Sequence, residues 1–364
     1  MNPMPADLRE LAELVAPTRS VLTVYLSPEG QRRDLEKRLA AYRELLAGER
    51  PESQDLAANV ARLASFLDER AAGTAVLFVA AASLDYFRGW TLPRLRVPMV
   101  CHVDSTPLIS PLAETFDEFE NYAVVVADNR VARIFLVAGG RHVDESRVRG
   151  DIKNHVRKGG WSQQRYERRR DKQIGRYADE VVEHLRALAQ AQEFSRLVLV
   201  GGKEAVAEID AALPHELAGM VVGEKALDLR QNETVMEREI FDLVTAAERS
   251  DEADLWRRIK GEYLRGGLAV AGGRDVLDVL RQGRAAALIV NRDSQQQVSR
   301  CGDCGATFLP IGEGCPACNS SEAFDVPLIE AVTELAVQTG AEVEYADPIP
   351  ALAKLGEVAA LLRW

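Results

Sequence analysis

The sequence predicts an α/β protein of three domains, with a metal ribbon inserted in the last. Three observations carry that prediction. Short β-branched apolar runs alternate with amphipathic helical segments along the whole chain, 364 residues suggest two or three domains rather than one, and four cysteines in two close pairs interrupt the final third. The composition shifts place the domains at 1–117, 118–252 and 253–364, and the ribbon at 298–322.

In the first domain, Ser20–Leu26 reads as a strand. Asp34–Ala47 carries Leu35, Leu39, Tyr42, Leu45 and Leu46 at helical spacing, and Leu56–Arg70 repeats the pattern with Val60, Leu63, Phe66 and Leu67. Ala75–Ala80 is an apolar strand with Tyr86–Trp90 as its partner. Thr106–Phe119 opens on Pro, Ser and Thr and reads as a connector. In the second domain, Tyr122–Ala127 and Val131–Val137 flank the turn Asp128-Asn129-Arg130 as a hairpin. A charged loop is expected from Gly139 to about Ser162, then a long helix from about Gln163 to Gln192. A strand at Arg196–Val200, a helix at Glu204–Ala212, a strand at Gly219–Asp228 and a helix at Thr234–Arg249 complete it. This strand–hairpin–helix order suggests a ribonuclease-H-like domain. The third domain is expected to begin near Asp251 and to contain a helix at Leu255–Arg265, a helix at Gly273–Gln282 and a strand at Arg284–Val290. After the ribbon come a helix at Pro327–Thr339, a strand at Glu342–Tyr345, a short helix at Ile349–Leu355 and a closing strand at Gly356–Trp364.

Apolar residues make up 47% of the chain and charged residues 28%, so each domain can bury a core. No apolar run approaches the length of a membrane span. The start MNPMPADLRE lacks a basic stretch followed by an apolar one, which argues against a signal peptide and for the cytoplasm. The formal net charge of −11 argues against indiscriminate nucleic-acid binding. The charge is uneven, however. Arg147–Arg176 holds 11 Lys/Arg against 3 Asp/Glu, a net of +8, which leaves −19 for the rest.

Cys301-Gly-Asp-Cys304 and Cys315-Pro-Ala-Cys318 are two CxxC knuckles, which facing each other make a closed S4 tetrahedron. Gly302, Gly305, Gly312 and Gly314 supply backbone freedom. With four protein ligands no position is left for a reactive water, so the expected Zn2+ is structural: it staples a loop too small to hold a core. The fifth cysteine, Cys101, reads as a buried core thiol.

The richest stretch is Asn154–Lys172, NHVRKGGWSQQRYERRRDK. Gly159-Gly160 forms a flexible tip that lets backbone approach a ligand. Arg157, Lys158, Arg165, Arg168, Arg169, Arg170 and Lys172 can grip phosphates, Gln164 can hydrogen-bond RNA, and Trp161 and Tyr166 offer stacking surfaces. By contrast, Gly201-Gly202-Lys203-Glu204 lacks the GxxxxGK[ST] pattern and reads as an ordinary strand-to-helix turn. Asp128 has no obvious carboxylate partners for two-metal nuclease chemistry.

Gly159-Gly160-Trp161-Ser162-Gln163-Gln164-Arg165-Tyr166, followed by Glu167-Arg168-Arg169-Arg170, resembles the tip of the middle domain in archaeo-eukaryotic class-one peptide release factors. These carry Gly-Gly-Gln, a short polar stretch, Arg-aromatic and a basic helix. The three-domain order also resembles that family and its relative Pelota, and the chain is similar to the bacterial members of this superfamily. The resemblance implies that the last domain has the kink-turn-binding ribosomal-protein-like fold. Two departures are visible. On the Arg-aromatic pair, Trp161 stands where the release-factor glutamine would be and Gln163 lies two residues later. Gly160-Trp161-Ser162-Gln163 instead matches the relaxed Gly-x-x-Gln of the ribosome-quality-control peptidyl-tRNA hydrolases. The first domain, too, shows no counterpart of the stop-codon-reading motifs.

The resemblance implies a monomeric factor that binds ribosomal RNA in the A site and hydrolyses the peptidyl-tRNA ester on stalled ribosomes, independently of stop codons. Gln163 would be the catalytic residue, with Gln164 as the alternative, Gly159 and Gly160 its close-approach hinge, and a translational GTPase a delivery partner. The competing expectation is a non-catalytic hibernation or protection factor, resembling the superfamily's bacterial member Balon.

Overall fold

The computed structural model describes residues 5–364, apart from 29–31, 49, 71–73, 93–98, 119–120, 129, 139–140, 150–160, 192–193, 228–232 and 310–313, and for some residues, 161–171 among them, the backbone alone. The chain divides into two compact units. One joins Met1–Glu118 with Asp254–Trp364, and the other is Phe119–Ala253.

The first unit begins with α1 (Pro5–Ala12), β1 (Val21–Leu26), α2 (Arg32–Leu45), α3 (Arg50–Asp68), β2 (Ala75–Ala81), β3 (Tyr86–Leu92), β4 (Met99–Asp104) and α4 (Ser110–Glu118). The four strands form an antiparallel sheet in the order β3-β2-β1-β4. β1 and β2 are buried along their whole length, which explains why neither shows polar alternation. Val21, Tyr25, Leu77 and Val79 pack on α1 and α4 through Leu11, Ile109 and Leu112. Leu22, Val24 and Phe78 face α2 and α3 through Leu35, Leu39, Leu63 and Phe66. The segment expected to be a bare connector therefore contains α4. Its Leu112 and Ala113 are buried, and the polar start that suggested a loop is the helix entry.

The second unit holds β5 (Tyr122–Ala127), β6 (Val131–Ala138), β7 (Arg141–Arg149), α5 (Trp161–Gln190), β8 (Arg196–Gly201), α6 (Lys203–Ala212), α7 (His215–Ala218), β9 (Val221–Ala226) and the start of α8 (Glu233–Leu264). The sheet runs β7-β6-β5-β8-β9, antiparallel through the first three strands and parallel through the last three. This is the ribonuclease-H-like order. Ala123, Val125 and Ala127 pack toward α5 and α6, while Tyr122, Val124 and Val126 pack toward Val244 of α8. Here the charged loop expected from Gly139 is corrected. Residues 141–149 form the edge strand β7, paired with β6. Its sequence RHVDESRVR hides the strand because an edge is blunted with charge rather than filled with apolar side chains. The domain break expected near Asp251 lies inside α8, which is continuous.

The remainder of the first unit contains β10 (Ala269–Ala271), α9 (Gly273–Arg281), β11 (Ala285–Asn291), β12 (Gln297–Cys301), β13 (Thr307–Phe308), β14 (Ala323–Pro327), α10 (Leu328–Thr339), β15 (Glu342–Ala346), α11 (Pro350–Ala353) and β16 (Val358–Leu362). β10-β16-β11-β15 is a mixed sheet, with β11 and β15 parallel. The ribbon is a separate antiparallel sheet, β13-β12-β14. No described helix is long and apolar enough to cross a membrane.

Candidate metal centre and cationic helix

The ribbon is built from two local turns of the same design. Cys301 N–H donates to the carbonyl of Ala306, five residues on, and Gly305 N–H donates back to Cys301 O at 3.0 Å. The second knuckle repeats this: Cys315 N–H donates to Ser320 O, and Asn319 N–H to Cys315 O at 2.8 Å. The residue after each second cysteine must turn left-handed. Gly305 has φ 72° and Asn319 φ 58°, and glycine and asparagine are the residues that accept this region most readily. The local signal is thus CxxC followed by Gly or Asn, and the role of Asn319 is evident only from its backbone angle.

The four sulfurs lie within 4.8 Å of one another. Cys301 Sγ is 3.5 Å from Cys318 Sγ, and Cys304 Sγ is 3.5 Å from Cys315 Sγ. A tetrahedral Zn–S4 centre needs sulfur separations of about 3.8 Å, so the donor set fits a metal with little adjustment. Cys301 and Cys315 are buried and Cys304 and Cys318 exposed. The backbone N–H groups of Cys304 and Asp303 point at the Cys301 sulfur and lower its pKa to about 7, which favours the thiolate a metal requires. Among the described residues this is the one group of His, Cys, Asp or Glu able to hold a metal ion.

Two arginines of α9 tie the ribbon down: Arg281 donates to Thr307 O, and Arg274 Nη2 to Leu309 O at 2.9 Å. Behind the cysteines, Arg300 is 3% exposed and forms a buried ion pair with Glu334 of α10. Burial pushes the Glu334 carboxyl up to about 7, although the Arg300 charge opposes the rise.

Asp128 behaves as a turn cap. Its Oδ1 accepts the N–H groups of Arg130 at 2.7 Å and Val131 at 2.8 Å, closing the β5–β6 hairpin. Gly201, at φ 138°, brings the start of α6 against β5, where a Cβ would stand 2.0 Å from Ala127 O. That close approach accounts for Gly201-Gly202 as strand-to-helix turn chemistry. Cys101 is buried, and burial raises its thiol pKa to about 12.

Of the expected RNA-facing residues, Arg157, Lys158, Gly159 and Gly160 lie outside the described residues. Trp161, Gln163, Gln164, Arg165, Arg168, Arg169, Arg170 and Lys172 all fall on α5, whose first residue is Trp161. Gln163 therefore sits in the first helical turn. Farther along, Ile174, Tyr177, Ala178, Val181, Val182 and Leu185 are buried at helical spacing and fix α5 to the sheet.

At about 100° per residue, positions 165, 168, 169, 172 and 176 form one stripe centred opposite that buried stripe. Lys172 and Arg176, at its described end, are exposed. Gln163 and Arg170 fall on the other side, in phase with the buried residues. From Trp161 to Ile174 the helix advances about 20 Å. Beyond Arg176 the outer stripe changes sign to Asp179, Glu180 and Glu183, all exposed. The helix dipole acts within the terminal turns, so this order, inside a 30-residue helix, is not set by it.

Residues 107–249, which contain the hairpin, β7 and all of α5, match the family described as bacterial archaeo-eukaryotic release factor family 10. Peptide chain release factor subunit 1 of Methanopyrus kandleri is 29% identical over 212 residues, covering 56% of this chain and 51% of that protein. The protein of the same name from Methanococcoides burtonii is 27% identical over 280 residues, covering 67% and 64%. The chain thus spans between about half and two thirds of the length of these curated relatives. Among solved structures, the archaeal translation termination factor aRF1 aligns over 100% of this chain and 99% of its own, at 16% identity and a TM-score of 0.29. Dom34 of S. cerevisiae, a translation termination-like factor, aligns over 80% of this chain and 81% of its own, at 11% identity and a TM-score of 0.46. The segment 107–249 is thus similar to a bacterial release factor family, and over half to two thirds of its length the chain is similar to archaeal peptide chain release factors.

Proposed function

We propose that this protein is a release-factor-like, ribosome-binding factor that carries the Gly159-Gly160 segment and the start of α5 into the A site of a stalled ribosome and hydrolyses the peptidyl-tRNA ester there, without reading a stop codon. The observation that carries this reading is the charge order of α5. Five cationic positions recur on one face, opposite the face that anchors the helix. They suit a polyanionic partner that follows that face, and ribosomal RNA is such a partner.

The chemistry needs little from the protein beyond placement. A water oxygen attacks the ester carbonyl carbon, the bond from that carbon to the terminal ribose oxygen breaks, and the proton lost by the water ends on the ribose hydroxyl. Gln163 cannot serve as a base, but its neutral amide can both accept from the water and donate to the developing oxyanion. The first N–H groups of α5 have no intrahelical acceptor and offer further donors at the positive end of the helix. Gly159 and Gly160 would let backbone approach the ester closely. Holding the water in line supplies most of the rate gain in such a site. Arg165, Arg168, Arg169 and Lys172, together with Arg157 and Lys158, would hold the segment against RNA, and Trp161 and Gln164 would contact bases or ribose. Zn2+ bound by Cys301, Cys304, Cys315 and Cys318 would act as a structural staple, and a translational GTPase as delivery partner belongs to the same reading.

The deciding experiment is release of labelled peptide from stalled ribosome complexes by the native protein and by Gln163→Ala. Release that falls on the order of 100-fold in the variant, with ribosome binding unchanged, supports the hydrolase. Tight A-site binding by both proteins with no release by either would overturn it in favour of a protection or hibernation factor.

A further inference from the structure

The four-cysteine ribbon has almost no core of its own. Its buried cluster is Cys301, Phe308 and Cys315, with Ala306 packed against it, so two of the three buried side chains are metal ligands. Val298 and Val326 anchor the far ends of β12 and β14 in the unit's main core, but at the Cys301 end, next to Arg300, little besides a metal is left to order the strand. β12 also meets the rest of the unit through its side chains. Residues alternate across a strand, so Cys301 turns to the metal site while its neighbour Arg300 turns to α10. Arg300 Nη1 donates to Thr106 Oγ1 at 2.6 Å, and Nη2 to Glu334. Thr106 Oγ1 in turn donates to the other Glu334 oxygen at 3.1 Å. One turn earlier on α10, Glu330 is 4% exposed and accepts the backbone N–H groups of Ile109 at 2.6 Å and Ser110 at 2.9 Å, where α4 begins. The chain from Thr106 to α4 is therefore held on α10 by two buried carboxylates, one of them neutralised by a side chain adjacent to a metal ligand.

We infer that metal occupancy of the four-cysteine site controls the docking of residues 105–118 on α10, with Arg300 as the transmitting side chain. Loss of order in β12 withdraws the guanidinium and leaves Glu334 buried without its cation, an outcome the fold avoids by loosening the contact that buries it. The coupling is reciprocal: holding Thr106 and Glu334 in place preorders the strand that carries Cys301. Residue 118 is the last of this unit before Phe119 opens the other, so the metal site governs how firmly the chain is held at that root. Arg19, whose guanidinium lies 4.4 Å from the Phe324 ring, adds a second contact between the N-terminal residues and the ribbon.

The test is hydrogen exchange on the full-length protein: zinc-loaded, stripped with a chelator, and resupplied with Zn2+. Stripping should accelerate the amides of Ile109, Ser110 and α4 by about tenfold or more, reversibly, while β5 and β8 of the other unit stay protected. Arg300→Met, shown to retain one Zn2+ per chain, should reproduce that acceleration with the ribbon amides of Gly302, Gly305, Cys315 and Asn319 still protected. Thr106→Val, which removes the bridging hydroxyl and leaves the ion pair, should give a smaller effect on the same amides. Acceleration confined to the ribbon on stripping, or unchanged protection of 105–118 in both variants, overturns the inference. So does general loss of protection that includes β5 and β8.

Discussion

The buried root of the ribbon and the start of α5 are both rich in charge, and they use it in opposite ways. At the root, Arg300, Glu334 and Glu330 are nearly inaccessible, and each is matched to a partner by geometry. Charge there is architecture: removing one member exposes the cost of burying the other. At the start of α5, cationic positions recur along a single helix face, opposite the buried stripe. Charge massed on an outward face is available to a partner of opposite sign. A count of basic residues does not separate the two cases; burial and direction do.

The sharpest way to break that contrast is to remove the stripe. Arg168→Ala, Arg169→Ala and Lys172→Ala together should weaken ribosome binding by at least tenfold at physiological salt and reduce the slope of log affinity against log salt by about 3. Arg170→Ala, on the opposite side of the helix, should change the slope less than any of the three alone. Equal effects from Arg170 and Arg168 would show that the stripe has no directional meaning.

A second comparison concerns stability against pH. Glu334 has a folded-state pKa of about 7, above its unfolded value. Its contribution is therefore fully present below the unfolded pKa, near 4.5, and is lost as pH rises through 7. Between pH 5.5 and 8.5 this single group should remove up to ~2 kcal/mol from the first unit, read as a falling denaturant midpoint. Glu334→Gln should be less stable throughout but show a flatter profile. A native profile without that decline would mean the ion pair keeps the carboxylate charged at no cost.

The smallest effect is also the most pointed. Arg165→Glu reverses one charge of the stripe just past the first turn of α5; it should leave the thermal midpoint of the second unit nearly unchanged while weakening ribosome binding. An equally stable protein that binds as well as the native one would show that this position has no part in binding.

Much of this was legible in the sequence because it is local. Two CxxC pairs announce a metal site whatever surrounds them, and the knuckle turns close within six residues. β1, β2, β5 and β8 are continuous apolar runs, and the buried stripe of α5 follows from helical spacing. The basic island and its Gly-Gly-x-x-Gln neighbourhood were readable as composition and motif. β7 and α4 were not. β7 is an edge strand whose polar alternation resembles a loop, and α4 is ordered by contacts from distant residues rather than by its own start.

The sequence by itself determined the metal ligands, the strand and helix alternation and the massing of cations between 147 and 176, since each depends on residues close along the chain. Only the tertiary structure decided that a ribbon arginine meets Thr106 across 194 positions, and that Glu330 accepts the backbone at the start of α4. Those outcomes depend on which buried groups must find partners once water is excluded, and spacing along the chain does not encode that choice.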